Sequence, residues 1–361
     1  VLRYKIGLTL LPKVGSKLGK ELVSYCGGAE AVFKEKQHAL LKIPGIGTET
    51  AKAILGQQVL GRADKEVQFL ERNQIKPLFY LDKDYPARLK HCQDAPLMLY
   101  YKGRANLNAA KIIAIVGTRH ATQYGKAQCE QLIRDLTAEN DLVIVSGLAY
   151  GVDSCAHRVA VENDLPTVGV MGRGLDGIYP DANRSLALSM LEKGGWLSEF
   201  ISGTKPDREN FPQRNRVIAG LSDAVVVVES GRKGGAVITA DIANSYNRDV
   251  FAFPGRVGDA YSEGCNNLIK TNKAALIESS KDLYYIMGWD EAKQPVQRNL
   301  FVDLSPTEEL IVEVLRKQGP VVIDDLILST HLKSSDLTPL LLNLEFQGVL
   351  KCLPGKVYAL I

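Results

Sequence analysis

Between residues 112 and 277 the chain alternates short apolar runs with helical patterns, and several of the runs open into glycine-rich turns. The apolar runs lie at 112–117, 142–146, 167–172, 195–199, 224–229, 250–253 and 275–277, and helical periods stand at 125–138, 153–162, 184–192, 215–221 and 236–246. Strands and helices at this spacing wind by right-handed crossovers into an open, doubly wound, mostly parallel α/β sheet of Rossmann-like type. Such sheets collect ligands beyond the carboxyl ends of their strands. The glycine-rich strings GTRHATQYG, SGLAYG, GRGLDG and SGRKGG all fall at those ends.

Residues 210–242 concentrate the signal. NFPQRNRVIAGL leads into a helix carrying Arg214 and Arg216, and AVVVVE is apolar on both faces, as a central parallel strand must be. The SGRKGG turn then opens a helix, so Lys233 and the bare amides of Gly234 and Gly235 can meet an anion at its N-terminus. Phosphate fits that chemistry.

A chain of 361 residues has room for two or three domains. No apolar run approaches the roughly 20 residues that span a bilayer, and VLRYKIGLTLLPK lacks a full signal-peptide pattern, so a cytoplasmic protein is expected. The 6 cysteines are scattered without a CxxC pair, and the 5 histidines show no ligand spacing, which argues against a metal site or disulfide framework. Residues 1–111 hold 19 Lys and Arg against 10 Asp and Glu, whereas the middle and the tail carry an acidic surplus. A polyanion would therefore meet a local cluster of cations in the middle of the chain.

The first segment repeats itself. Leu11-Pro-Lys-Val-Gly15 precedes one helical stretch and Ile43-Pro-Gly-Ile-Gly47 another, in the manner of paired helix-hairpin-helix units. In that motif the glycine turn offers amides to a DNA phosphate, with Lys13, Lys17 and Lys52 adding charge. The same spacing also serves a helical bundle whose Pro-Gly turns merely join helices. Residues 66–111 read as a segment adding one strand ahead of the main sheet.

Two tempting motifs fail on context. Gly172-Arg-Gly-Leu-Asp-Gly177 satisfies GxGxxG, but Pro180 and Asn183 delay the helix that a dinucleotide pyrophosphate needs, so no cofactor is expected. Ser146, Asp153 and His157 lie close together without a further partner to orient a nucleophile. Asp153 is expected to cap its helix, and His157 to make a structural hydrogen bond.

GTR (117–119), SGLAYGVDSCAH (146–157), GRGLDGIYPDAN (172–183), SEF (198–200), FPQRNRVIAGLS (211–222), VVVVESGRKGGAVITA (225–240), VFAFPG (250–255) and EGCNNLI (263–269) together resemble the DNA-processing protein A (DprA, Smf) family, in that family's order. Thr118 stands where the family has serine, which keeps the hydroxyl. The resemblance implies a dimer that binds single-stranded DNA without sequence preference and helps load the RecA recombinase in natural transformation, with no enzymatic activity. On this expectation Arg119, Arg173, Arg184, Lys205, Arg214, Arg216 and Lys233 supply cations, Gly117, Gly147, Gly234 and Gly235 close backbone approach, and Phe211 a flat face. Thr118, Ser146 and Asn215 complete the expected DNA-binding set.

The alternative is a nucleotide-processing enzyme of the Rossmann-like phosphoribohydrolase group, whose PGGxGTxxE turn this chain lacks, having Asp241 in place of the glutamate. The expected domains are a helix-hairpin-helix-like unit at 1–65, the Rossmann-like domain at 66–290, a linker at 291–304 and a domain at 305–361 that resembles a winged helix. The third helix of the last carries Asp336 and Glu345 but no cation, which suits protein contact better than reading duplex DNA.

Overall fold

The structure, a computed structural model, describes residues 1–139, 141–289 and 304–361. Nine strands form the main sheet: β1 (Lys76–Phe79), β2 (Met98–Gly103), β3 (Lys111–Val116), β4 (Leu142–Ser146), β5 (Thr167–Met171), β6 (Gly195–Ser198), β7 (Ala224–Val227), β8 (Asp249–Ala252) and β9 (Ala275–Leu276). Their order is β1-β2-β6-β5-β4-β3-β7-β8-β9. From β6 to β9 every pairing is parallel, and β2 joins β6 antiparallel. The segment expected to add one strand adds two, because KPLF and MLYYKG pair with each other as well as extending the sheet.

Side-chain alternation explains why both faces are covered. Ile112, Ala114 and Val116 of β3 pack with Val225 and Val227 of β7 against helices Asn210–Leu221 and Gly235–Ser245. Ile113 and Ile115 pack with Ala224 and Val226 on the other face, against helices Gln123–Leu136 and Val152–Glu162. Each Val or Ile sealed this way is worth about 1.5–3 kcal/mol. The run is a buried strand because it has no polar face to turn outward.

Helix Asn210–Leu221 begins earlier than the expected 215, and it includes Pro212 in its first turn. A proline is tolerated there because the first-turn amides have no partner within the helix.

The N-terminal repeat is structural as well as textual. Gly15 and Gly47 are both N-caps in extended conformation, opening helices Ser16–Cys26 and Thr48–Gly56. Leu11 and Ile43 are both buried, as are Val14 and Ile46. Helix Val59–Arg72 runs across position 65 into the main domain, and its buried Glu66 accepts hydrogen bonds from Ser202 N (2.9 Å) and Oγ (2.6 Å).

At the other end, helices Pro306–Gln318, Ile323–Thr330 and Ser334–Phe346 pack on strands β10 (Val321–Val322), β11 (Leu350–Leu353) and β12 (Val357–Leu360). Its wing touches the main domain: Gly355 N donates to Asn247 O (3.1 Å), and Arg248 Nη1 to Pro354 O (2.7 Å). Positions 291–303 of the expected linker lie outside the described residues. Among the described residues, no helix is long and apolar enough to cross a membrane.

Asp223 ties the amino ends of β3 and β7 together, accepting from Ile112 N (2.8 Å) and from Arg88 Nε (2.6 Å). Asp223→Ala leaves that amide and guanidinium without their acceptor. It is expected to lower unfolding free energy by about 3 kcal/mol, read as a reduced urea midpoint by circular dichroism.

Candidate nucleic-acid interface

The chain leaves β3 toward β4 on one side and leaves β7 toward β8 on the other, although β3 and β7 are neighbours. A crevice opens where crossovers part in this way. Here it holds about 330 Å3 and is lined by Gly117, Thr118, Arg119 and His120 from the first turn and Ser230, Gly234 and Gly235 from the second.

Backbone amides of the first turn tie it to Glu229, just before the second. Thr118 N donates to Glu229 O (2.7 Å), and Thr122 N donates to the Glu229 carboxylate (2.8 Å). A Cβ on Gly117 would run into Val152 and crowd Glu229 O, so glycine is required for this approach. The third turn is fixed from below. Asp153 Oδ2 accepts from Gly147 N (3.2 Å) and Ala149 N (3.3 Å), so this carboxylate ties the turn before its helix, and the expected side-chain cap is not formed.

Arg214 lies buried beneath that turn. Its Nη1 donates to Gly147 O and, at 2.7 Å, to Val170 O, while Nε donates to Asn215 Oδ1 (3.1 Å). Any side chain at 147 would collide with the guanidinium. Burial raises the pKa of Asp153 against the opposing pull of Arg214, and burial lowers that of Arg214. His157 is also buried, with Nδ1 2.7 Å from Thr167 Oγ1, and burial pushes its pKa down to about 3, so it is a neutral structural group. Ser146 donates to Ile115 O (2.6 Å) and is fully covered, which keeps it from a ligand.

Phe211 collects the exposed chemistry. The Arg119 guanidinium sits over its ring at 5.2 Å, and Tyr179 stacks beside it at 6.1 Å with a tilt of 29°. Gly147, Tyr150 and Arg173 help line the adjoining pocket, which holds about 30 Å3.

The remaining expected residues diverge. Arg216 points to the other side of its helix, pairing with Glu199 and donating to Asp94 O beside a cleft of about 860 Å3 under the N-terminal domain. It therefore stands apart from Arg119, and the joint rim of Arg214 and Arg216 is not formed. Arg184, Lys205 and Lys233 are exposed outside the pocket, and Arg173 lies 3.8 Å from Asp176. Tyr179 and Tyr150 were absent from the expected set, though each is an aromatic set in glycine- or proline-rich turn text. Asp241 pairs with Lys273 at 2.8 Å, so it is engaged away from the crevice.

Residues 76–288 match the family described as DNA recombination-mediator protein A, and residues 299–356 match the DprA winged helix domain. The chain belongs to the DNA recombination-mediator protein A family. It is 34% identical to Protein Smf of Synechocystis sp. over 98% of both chains, and 42% identical to DNA processing protein DprA of Streptococcus pneumoniae over 56% of this chain and 71% of that one. The crystallographic S. pneumoniae DprA superposes with a TM-score of 0.67 at 33% identity, covering 79% of this chain and 98% of that one. DNA processing protein A of Helicobacter pylori, studied for its single-stranded DNA binding mode, superposes at 0.54 and 32% identity, covering 60% and 97%. The DprA fold thus accounts for the α/β sheet and the winged helix alike.

Glu199 gives this DprA relative a pH signature. Burial pushes its pKa up to about 7 despite Arg216 beside it. A carboxyl raised in the folded state contributes stability below its unfolded pKa and loses it as pH rises through 7. The thermal midpoint of the wild type minus that of Glu199→Gln is therefore expected to shrink between pH 5 and pH 8, as followed by scanning calorimetry.

Proposed function

We propose that this protein binds single-stranded DNA without reading its sequence, guards it, and passes it to a RecA-type recombinase during DNA uptake or recombination. The observation that carries the proposal is the exposed Arg119 lying over Phe211 beside a crevice edged by glycine turns. A single strand offers phosphates spaced along a flexible chain and bases with open π-faces. An exposed guanidinium on an aromatic ring answers both, and amide-rich turns accept the phosphates between. On this reading affinity is electrostatic and stacking in origin, from phosphate contacts and ring faces that carry no sequence information. Single-stranded DNA binding by the H. pylori relative supports the same assignment.

Arg214 contributes by position. Its charge sits beneath the crevice while its donors hold the carbonyls of the Gly147 turn and of Val170 in β5. Recombinase loading belongs to this proposal through the family's description as a recombination mediator, and dimerisation through the family resemblance. The winged helix adds an acidic surface suited to a protein partner.

The proposal is tested by salt titration of binding to oligo-dT and to duplex DNA. Single-strand preference is expected, with Arg119→Ala weakening it about 10-fold, or about 1.4 kcal/mol, and flattening the logarithmic salt slope by about 0.7. Arg216→Ala is expected to stay within about twofold of wild type because its guanidinium faces the other cleft. Equal affinity for duplex, or an Arg119→Ala variant that binds like wild type, overturns it.

A further inference from the structure

We propose a second stacking site for the strand on the His120–Tyr261 ring pair, reached across the crevice from Phe211 and continuing into the cleft beneath the loop that joins β8 to helix Glu263–Lys270. The inference rests on the single-strand binding proposed above and extends its path.

Phe211 and His120 both line the same crevice. Phe211 stacks with Tyr179, and His120 stacks with Tyr261 at 6.1 Å and 29°, the same spacing and tilt. A strand entering at Arg119 thus meets an aromatic pair on either side. Base stacking on such rings tolerates any sequence, because every base has a π-face.

The second pair is held in place. Ser230 N donates to Tyr261 O (2.7 Å), which fastens the β8 loop to the SGRKGG turn. Past it lies a cleft of about 840 Å3, lined among others by Tyr124, Gly255, Arg256, Gly258 and Tyr261. Tyr124 is half exposed, and its hydroxyl donates to Pro254 O (2.7 Å), which fixes that ring as part of the wall. Gly258 has φ +93° with open space where a side chain would stand, so the loop leaves the cleft open.

Charge permits the path. Exposed Arg256 and Asp259 both line the cleft, and exposed Arg232 and Lys233 of the SGRKGG turn and Glu263 of the following helix flank them in sequence. Glu229 also lines the cleft, but it is buried and its oxygens accept from Thr122.

The test is fluorescence anisotropy of the full chain with oligothymidylates of about 6 and about 20 nucleotides, spanning the usual site sizes. Tyr261→Ala is expected to lose about 5- to 10-fold in affinity for the longer strand, with little change for the shorter, and Tyr261→Phe is expected to restore the loss. Should Tyr261→Ala not fold, Tyr124→Ala in the wall of the second cleft carries the same expectation. Wild-type affinity of these alanine variants for the longer strand overturns the second site, as does an equal loss on both lengths. Arg119→Ala separates the two proposals: it weakens both lengths if the first holds, and failure there removes the first whatever Tyr261 does.

Discussion

Everything at the candidate interface depends on β3 and β7 lying side by side while their crossovers leave in opposite directions. Parallel strands need long connections, and each connection covers one face of the sheet. Where two of them part, the strand ends are left uncovered, and the turns after Val116 and Val227 are brought together. The crevice is a consequence of topology. What fills its rim is a matter of sequence, and here the rim is glycine, hydroxyl and arginine.

A buried layer of charge stiffens that rim. Asp153 gathers two amides of the SGLAYG turn, and Arg214 gathers the carbonyls of Gly147 and Val170. Both groups lie in a low-dielectric setting where neither is free to move without leaving the other's partners unsatisfied. The exposed Arg119 above them can then face a ligand with little reorganisation. On the proposed reading, a buried cation positions the site and an exposed one meets the strand.

The flanking domains are tied to this centre from two directions. Glu66 of the N-terminal unit holds Ser202, on the loop that leads toward Phe211, and Arg62 donates to Ser202 as well. The wing of the C-terminal domain rests on Asn247 and Arg248, at the amino end of β8, remote from the crevice. The first contact couples the N-terminal helices to the pocket, whereas the second leaves the pocket's rim clear.

The sequence by itself determined the parallel sheet, because runs such as AVVVVE have no polar face and so must be covered on both sides. It also marked the turns that line the crevice, since glycine recurs where backbone must approach backbone. That His157 makes a structural hydrogen bond was legible because no further partner stood by to orient a nucleophile, whereas its neutrality followed from burial in the fold. Tertiary structure alone decided the fate of the arginines. Arg214 and Arg216 are two residues apart, hence about 200° around a helix, so one face of Asn210–Leu221 buries the first beneath Gly147 and the other pairs the second with Glu199. Tyr179 reaches Phe211 from a distant loop, and two antiparallel strands, where one was expected, extend the sheet's edge. These are long-range pairings, and periodicity along a chain carries no information about which distant residue will be opposite.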